Sequence, residues 1–386
     1  MKIISFYLPQ YHPIPENDLW WGKDFTEWVS VAAARPRFKG HNQPQIPADL
    51  GFYDLRLEET RIAQAKLAAE YGISGFCYYH YWFNGKMLLD LPFNEVLRSG
   101  KPDFPFCLCW ANESWTRAWD GLEKEILIKQ EYSAEDSINH INWLCKAFKD
   151  PRYIKVNGKP LLLIYRTDNL PDTEERIRIW RKITKEHGFI DLYLCSVRSN
   201  FSRTSEIGVI ESGFDAIVEF QPYIKDLPRR SLWILFKLAV NHYANKIITG
   251  INLKSHIPLL NENNILCYRK LADRAMARPH PDKYKKFPCV TPSWDNSARK
   301  KAATIIQNDD PGIFTAWLAG AFQRVEKYDD DEKIVFINAW NEWAEGCHLE
   351  PDKKNGRIFL EAIREAQAAH KISAGASEEC IPKSLS

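Results

Sequence analysis

The sequence lacks the features of membrane-spanning and nucleic-acid-binding proteins. No stretch of about 20 uncharged apolar residues occurs, so no segment is predicted to span a bilayer. Lys and Arg number 52 and Asp and Glu 50 among 386 residues, and the resulting net charge of +2 supplies no field that would attract nucleic acid. The first residues contain no apolar signal-peptide core, and we expect a cytoplasmic protein.

Paired cysteine and histidine motifs are also missing. The nine cysteines are an odd number, and Cys77, Cys107, Cys109, Cys195 and Cys289 lie within apolar runs. We predict that they are small buried residues in a reducing compartment rather than a disulfide framework. No Cys or His cluster follows Cys107 and Cys109, so we expect neither a metal nor another cofactor.

Eight short apolar runs predict eight strands that are buried on both faces. They begin at Lys2, Gly72, Phe104, Lys159, Leu192, Phe214, Phe287 and Lys333. Helix-like segments with charged faces lie between them, at 55–71, 133–148, 173–187, 298–306 and 314–328. This alternation predicts an α/β fold, a (β/α)8 TIM barrel with enlarged βα loops. A doubly wound sheet is the alternative, but no Gly-rich dinucleotide turn follows the first strand.

The domain organisation is predicted to be one catalytic barrel over residues 1–370 with a helical insertion around 223–286. Within the insertion, residues 229–250 form an apolar segment interrupted by polar side chains. It is predicted to be either an amphipathic helix that covers the barrel or an interfacial helix. In the second case Arg229, Arg230 and Lys237 would meet anionic lipid at the inner membrane. Residues 371–386 are predicted to be a disordered tail.

The predicted carboxyl ends of the strands combine aromatic rings with polar groups. The candidate substrate-binding residues are Tyr7, His80, Tyr81, Trp82, Trp110, Asn112, Glu113, Trp115, Trp294 and Asn341. An indole offers a flat apolar face to the C–H groups of a sugar, and Asn, His and acids bind hydroxyls. Because active sites of such barrels lie at this end, the cluster predicts a carbohydrate site. For the tryptophans, packing in the core is an equally good interpretation.

Two carboxylates follow the eighth run in the segment "NAWNEWAEG". Glu342 and Glu345 would share a face if a turn follows the strand, and Gly346 favours such a turn. Neighbouring acids repel, so one tends to stay protonated while the other ionises, which provides a general acid and a general base. The alternatives are a helix cap or an ion pair. Glu113 in "WANESW" is a competing candidate for the acid.

A second acidic motif, Asp329-Asp330-Asp331, resembles the metal motif of nucleotide-sugar transferases. It immediately precedes the eighth predicted strand, which places it at the opposite end of the barrel from the active site. We therefore interpret it as a solvated loop.

Four motifs together resemble those of a known family. "FYLPQYHPIPEND", "GFCYYHYWF", "WANESWTRAWDG" and "NAWNEWAEG" are similar to segments of the WbsX-like proteins of bacterial surface-polysaccharide gene clusters, a glycoside hydrolase family 99-like group. The resemblance implies a (β/α)8 barrel and retaining cleavage of α-mannosides without a cofactor. It also implies that Glu342 deprotonates the sugar 2-hydroxyl, which attacks its own anomeric carbon, and that Glu345 protonates the leaving oxygen.

Three functions are consistent with the sequence. The first is an enzyme that cleaves or transfers glycosyl units of a bacterial surface polysaccharide or O-antigen precursor, in free or lipid-linked form. The second is a nucleotide-sugar-dependent glycosyltransferase, and the third is a non-catalytic glycan-binding barrel. Nucleic acid is not an expected partner.

Overall fold

Eight parallel strands form a closed barrel in the computed structural model, which describes residues 1–117, 122–227 and 263–379. The strands are β1 (Lys2–Tyr7), β2 (Gly75–Phe83), β3 (Phe106–Trp110), β4 (Lys159–Ile164), β5 (Tyr193–Arg198), β6 (Ala216–Glu219), β7 (Lys285–Phe287 with Cys289–Val290) and β8 (Ile334–Ile337). They follow the eight predicted runs.

The barrel closes through the two segments of β7, which Pro288 separates. The first segment pairs with β6, with Ala216 opposite Lys285, and the second pairs with β8, with Cys289 opposite Phe336. β8 also pairs with β1, so every barrel strand has two neighbours. The closed parallel barrel confirms the predicted fold class and excludes the doubly wound sheet.

Helices cover the outside of the barrel. They are α1 (Pro15–Trp21), α2 (Glu27–Ala33), α3 (Glu58–Glu70), α4 (Leu91–Ser99), α5 (Ala134–Phe148), α6 (Thr173–Glu186), α7 (Glu206–Glu211), α8 (Tyr268–Ala277), α9 (Pro311–Val325) and α10 (Ile358–Glu379). α1 and α2 lie in the long loop after β1. Each barrel strand is followed by one of the others, as the (β/α)8 pattern requires.

Side chains alternate between the inside and the outside of the barrel. The Phe6 ring meets rings of three other strand ends inside, at 5.7 Å from Tyr79, 5.3 Å from Phe220 and 5.5 Å from Phe336. The next residue, Tyr7, points outward and donates a hydrogen bond to Gln64 on α3. The aromatic interior forms the base on which the loops at the carboxyl ends rest.

One predicted helix is wrong, and one predicted tail is partly helical. Residues 298–306 are not a helix: the strand Thr304–Gln307 pairs with Asn264–Cys267, because its β-branched residues complete a small sheet in the loops. The helix α10 extends to Glu379, into the segment 371–386 that was predicted to be a disordered tail, and residues 380–386 lie outside the described residues.

The membrane prediction for residues 229–250 lies outside the described residues. Within the described ranges, no helix combines the length and apolar character needed to cross a bilayer.

The five cysteines predicted to be buried are all buried and free. Asp331 lies at the amino end of the barrel, where its carboxylate accepts a hydrogen bond from Lys2 Nζ at 2.7 Å, in agreement with its predicted place away from the active site.

Candidate active site

A tight turn after β8 brings Glu342 and Glu345 to the same side of the chain. Asn341–Glu342 pairs with Cys347–His348, and a 3₁₀ turn over Trp343–Glu345 joins the two short strands. Gly346 ends the turn with φ of 60°, and a Cβ there would lie 2.9 Å from the backbone N and O of Asp295. The turn therefore depends on glycine at this position.

Both carboxylates contact one guanidinium. Arg299 Nη2 lies 3.2 Å from Oε2 of Glu342, and Nη1 lies 2.9 Å from Oε1 of Glu345. A third carboxylate, Glu27 at the start of α2, lies 3.1 Å from Nη2. The Arg299 side chain is only 10% exposed, so three acids surround one buried cation.

This arrangement shifts the proton affinities of the site. Burial raises the pKa of Glu342 to about 8, where Arg299 opposes the rise and the negative charges of Glu345 and Glu27 add to it. Burial alone would lower the pKa of Arg299, but the three carboxylates outweigh it and hold the guanidinium charged. Glu342 therefore exchanges a proton near neutral pH, as a group that transfers protons during catalysis must.

The two acids border a cavity of about 540 Å³, the central cavity, at the carboxyl ends of the strands. Its aromatic floor is formed by Tyr79, Tyr165 and Phe220, whose rings contact one another and the interior of the barrel. Trp115 and Tyr81 line its side, at a ring distance of 5.1 Å from each other. A cavity of this size, apolar at its base and acidic at one wall, suits a sugar ring and its neighbours.

The wall across the barrel carries a second ion pair. Arg166 follows β4, which is four strands from β8 in the closed barrel, and its guanidinium is paired with Glu113. It also lies 4.5 Å from the centroid of the exposed Phe201 ring. Glu113 lines the same cavity as Glu342 and is paired with an arginine of its own.

Two asparagines brace the backbone of the neighbouring loop. Asn341 accepts from Leu8 N at 2.7 Å and donates to Leu8 O at 2.9 Å. Asn112 likewise accepts from Arg166 N at 2.8 Å and donates to Arg166 O at 2.9 Å. Both are fully buried and neither lines the central cavity. The predicted substrate contacts of Asn341 and Asn112 are corrected to a structural role.

Four further predicted substrate-binding residues lie on the outside of the barrel. Tyr7, His80, Trp82 and Trp110 point toward the helices, because strand alternation turns them away from the interior. His80 packs against α5, with Nε2 3.0 Å from Nε2 of His140. The prediction that these four contact substrate is therefore wrong.

Trp294 lies in a different cavity from the two glutamates, and only Tyr81, Glu113 and Trp115 of the predicted binding residues line the central one. Arg299 and Glu27 were missed. Arg299 stands in the basic run "SARKK", which looks like a solvated surface, and Glu27 in "FTEW" carries no sign of burial. Tyr79 could have been found from the alternation along β2.

Metal ligands are not grouped at this site. Within the three described ranges, no set of three or more His, Cys, Asp or Glu side chains is arranged to hold a metal ion. The chemistry that the visible groups can supply is proton transfer by Glu342 and Glu345.

Comparison with known proteins gives a match over nearly the whole chain. Residues 3–363 match the family described as "Glycosyltransferase WbsX". Two curated proteins, each named "Uncharacterized protein WxcX" and found in two strains of Xanthomonas campestris pv. campestris, are 40% identical over 382 residues. The match covers 98% of this chain and 51% of theirs, so the chain spans about half the length of these relatives.

Solved structures with the same fold are more distant in sequence. A GH99 endo-alpha-mannosidase from Bacteroides thetaiotaomicron superposes with a TM-score of 0.55 at 13% identity, covering 97% of this chain and 98% of that one. A "Glycoside hydrolase-like protein" gives a TM-score of 0.55, also at 13% identity, covering 95% and 93%. At these identities the likeness concerns the barrel fold.

Proposed function

The chain belongs to the family described as "Glycosyltransferase WbsX", and from this premise we propose that it is a glycan-processing enzyme. It cleaves or transfers glycosyl units of an oligosaccharide or polysaccharide, and Glu342 and Glu345 carry the proton transfers. The observation that supports this most directly is the convergence of both carboxylates on Arg299 at the wall of the central cavity.

The proposed reaction retains the configuration at the anomeric carbon. Ionised Glu342 takes the proton of the sugar 2-hydroxyl while O2 forms a bond to C1. The bond from C1 to the leaving oxygen breaks as Glu345 gives that oxygen its proton. Water or an acceptor hydroxyl then loses its proton to Glu345 and attacks C1, the bond from C1 to O2 breaks, and O2 recovers its proton from Glu342. Two inversions at C1 give net retention.

The environment of the two acids supports this division of roles. A pKa of about 8 makes the Glu342 carboxylate a stronger base than an exposed glutamate, which favours removal of a weakly acidic hydroxyl proton. The Glu345 side chain is 26% exposed, compared with 7% for Glu342, so a leaving group and water can reach it. Both acids lie on one segment, which suits attack from within the sugar itself.

The proposed substrate is an α-mannoside-like unit of a bacterial surface polysaccharide or O-antigen precursor, in free or lipid-linked form, which the enzyme processes in the cytoplasm or at the inner membrane. This proposal is supported by the resemblance of the four motifs to WbsX-like proteins and by the fold shared with an endo-alpha-mannosidase.

The test is a screen of α-linked aryl glycosides and disaccharides, followed by the variants Glu342→Gln and Glu345→Gln. We expect each variant to lose at least about a hundredfold in kcat, because a positioned acid or base contributes about 10² or more. Glu361→Gln, on the exposed start of α10, is the matched control and should keep full activity. Full activity in a folded Glu342→Gln or Glu345→Gln variant, or a product of inverted configuration, would contradict the proposal.

The description of the family as a glycosyltransferase motivates one alternative, a nucleotide-sugar-dependent transferase. This alternative predicts that UDP- or GDP-linked sugars raise Tm by mass action at saturating concentrations. A non-catalytic glycan-binding barrel would instead bind oligosaccharides equally well in both Gln variants and turn over none of them.

A further inference from the structure

A second cavity, the side cavity, lies beside the central one at the same end of the barrel. Its volume is about 320 Å³, and it is formed by the loops after β1, β7 and β8. The reaction proposed above does not use it. Its lining includes one large aromatic side chain, Trp294, and otherwise consists mostly of polar residues.

A thin wall separates the two cavities. Glu345 lines the central cavity, whereas the next residue, Gly346, lines the side cavity. Gly346 packs directly against the backbone of Asp295, and Ser293 Oγ donates to its carbonyl at 2.6 Å. The wall leaves no room for a side chain at position 346.

Trp294 gives the side cavity an apolar surface. It is half-buried, and its backbone pairs antiparallel with Ile306, which fixes the residue in the sheet Trp294–Asp295 with Thr304–Gln307. Within the described part of the chain, its ring makes no contact with another aromatic ring. An indole placed in this way can pack against the C–H face of a sugar.

Carboxamides with spare hydrogen-bonding capacity surround this ring. Across the described residues, the side chains of Asn42, Gln307 and Asn308 form no hydrogen bond, although all three line the cavity. Gln45 uses its Oε1 to bind His348 Nε2 at 2.9 Å, which leaves its amide N–H groups available. Because a carboxamide both donates and accepts, such groups match hydroxyls, which do the same.

The charged groups in the lining are already paired. Asp295 binds His41 at 2.7 Å and Gln43 at 2.8 Å, and Asp352 accepts from the backbone N of Lys354 at 2.7 Å. The Asp309 carboxylate lies 3.8 Å from Lys354 Nζ. The carboxylates of this site already have hydrogen-bonding or charged partners, whereas its side-chain amides have capacity left. Such a site favours a neutral, hydroxyl-rich ligand over an ion.

From these observations we propose that the side cavity is a binding subsite for a neutral sugar unit, in which the sugar packs against Trp294 and hydrogen-bonds Asn42, Gln45, Gln307 and Asn308. The identity of this sugar as a remote unit of the substrate glycan rests on the proposed function. Binding itself does not require turnover, so the two proposals can fail independently.

The test uses the full chain labelled with fluorotryptophan and follows the fluorine resonance of Trp294, which is assigned by its loss in Trp294→Phe. The probes are the methyl α-glycosides of mannose, glucose, galactose, rhamnose and N-acetylglucosamine. We expect at least one probe to shift this resonance saturably at concentrations above about 1 mM, the weak end of specific binding. No saturable shift with any probe overturns the proposal.

Two variants locate the bound sugar. Gln307→Leu removes a carboxamide that has no partner in the fold, so the protein should remain folded while the affinity falls by about tenfold. Glu342→Gln changes only the central cavity and should leave the titration unaltered. If Glu342→Gln abolishes the shift and Gln307→Leu does not, the sugar binds elsewhere and the proposal is wrong.

The outcomes also separate this proposal from the proposed function. Sugar binding at Trp294 in a protein that turns over no glycan would remove the enzymatic function and retain the subsite. Turnover that depends on Glu342 and Glu345, without any sugar bound at Trp294, would support the enzymatic function and overturn the subsite.

Discussion

Glu342 and Glu345 bind opposite nitrogens of the same guanidinium, at 3.2 Å and 2.9 Å. Arg299 thereby fixes the separation and orientation of the two acids, since a planar fork positions carboxylates more strictly than a point charge does. The same cation also pairs with Glu27, so the site contains three carboxylates around one guanidinium. Its stability and its proton affinities are consequently linked.

Replacing Arg299 with Met should destabilise the fold by about 3–5 kcal/mol, because it leaves buried carboxylates without a counter-charge. Loss of the cation removes the charge that opposes the raised pKa values of Glu342 and Glu27, so the deficit should be large at pH 8 and shrink as these acids become protonated toward pH 5. Urea unfolding at both pH values measures this. Arg357→Met, which removes ion pairs of a side chain that is 41% exposed, should cost less than about 1 kcal/mol at either pH. A pH-independent deficit in Arg299→Met would contradict the account.

Glu27→Gln should shift the pH dependence of activity. If Glu342 must be ionised, kcat/KM of the native chain rises with pH toward a plateau above about 8. The variant removes a negative neighbour and frees Arg299 to stabilise ionised Glu342. The rise of kcat/KM with pH should therefore occur at lower pH in the variant. The measurement is a pH profile of kcat/KM for both proteins. Asp331→Asn, at the other end of the barrel, should leave the pH at which kcat/KM rises unchanged. A rise at higher pH in Glu27→Gln would refute the role of Glu342 as the group that must be ionised.

The buried histidine pair on the outside of the barrel should make the fold sensitive to acid. Burial lowers the pKa of His80 to about 3, and burial, with the charges of His80 and Arg176, lowers the pKa of His140 well below its usual value. The unfolded chain therefore takes up protons first as pH falls below about 6.5, and stability is lost from there downward.

His140→Gln keeps a hydrogen-bonding partner for His80 but removes one titrating imidazole. Its loss of unfolding free energy between pH 6.5 and 5 should be smaller than that of the native chain by about 2 kcal/mol. Denaturant titrations at the two pH values measure the difference. Equal losses in both proteins would show that His140 is not held neutral by the fold.

Asn341→Ala and Asn112→Ala form a matched pair. Each removes two hydrogen bonds to a buried loop backbone and should cost about 1–3 kcal/mol in stability. Asn341 precedes Glu342, so its variant should lower kcat, whereas the Asn112 variant displaces Arg166 and should chiefly raise KM. Kinetics on one substrate separate the two roles. The same change in kcat and KM for both variants would show a general loss of folding instead.

The barrel could be predicted because each strand is a local apolar run and each run is followed by a helix. The turn after β8 was predictable for a similar reason, since Gly346 is a local signal. Neither inference needs contacts between distant parts of the chain.

The positions of individual site residues were harder to predict from the sequence. His80 and Tyr79 are adjacent, yet one faces α5 and the other the central cavity, and a single residue of register decides between them. Arg299 lies 272 positions from Glu27 and 43 from Glu342, so only the folded chain shows that it joins the acids. Trp294 follows the correct strand but lies beyond the wall at Gly346.

That wall constrains the shape of any polymer that occupies both compartments. Because a Cβ at Gly346 would already lie 2.9 Å from the backbone of Asp295, no sugar fits between these two residues. A glycan that occupied both cavities would therefore have to pass around this contact. The protein would thereby select its polymer by curvature as well as by sugar identity, with a preference for linkages that bend the chain.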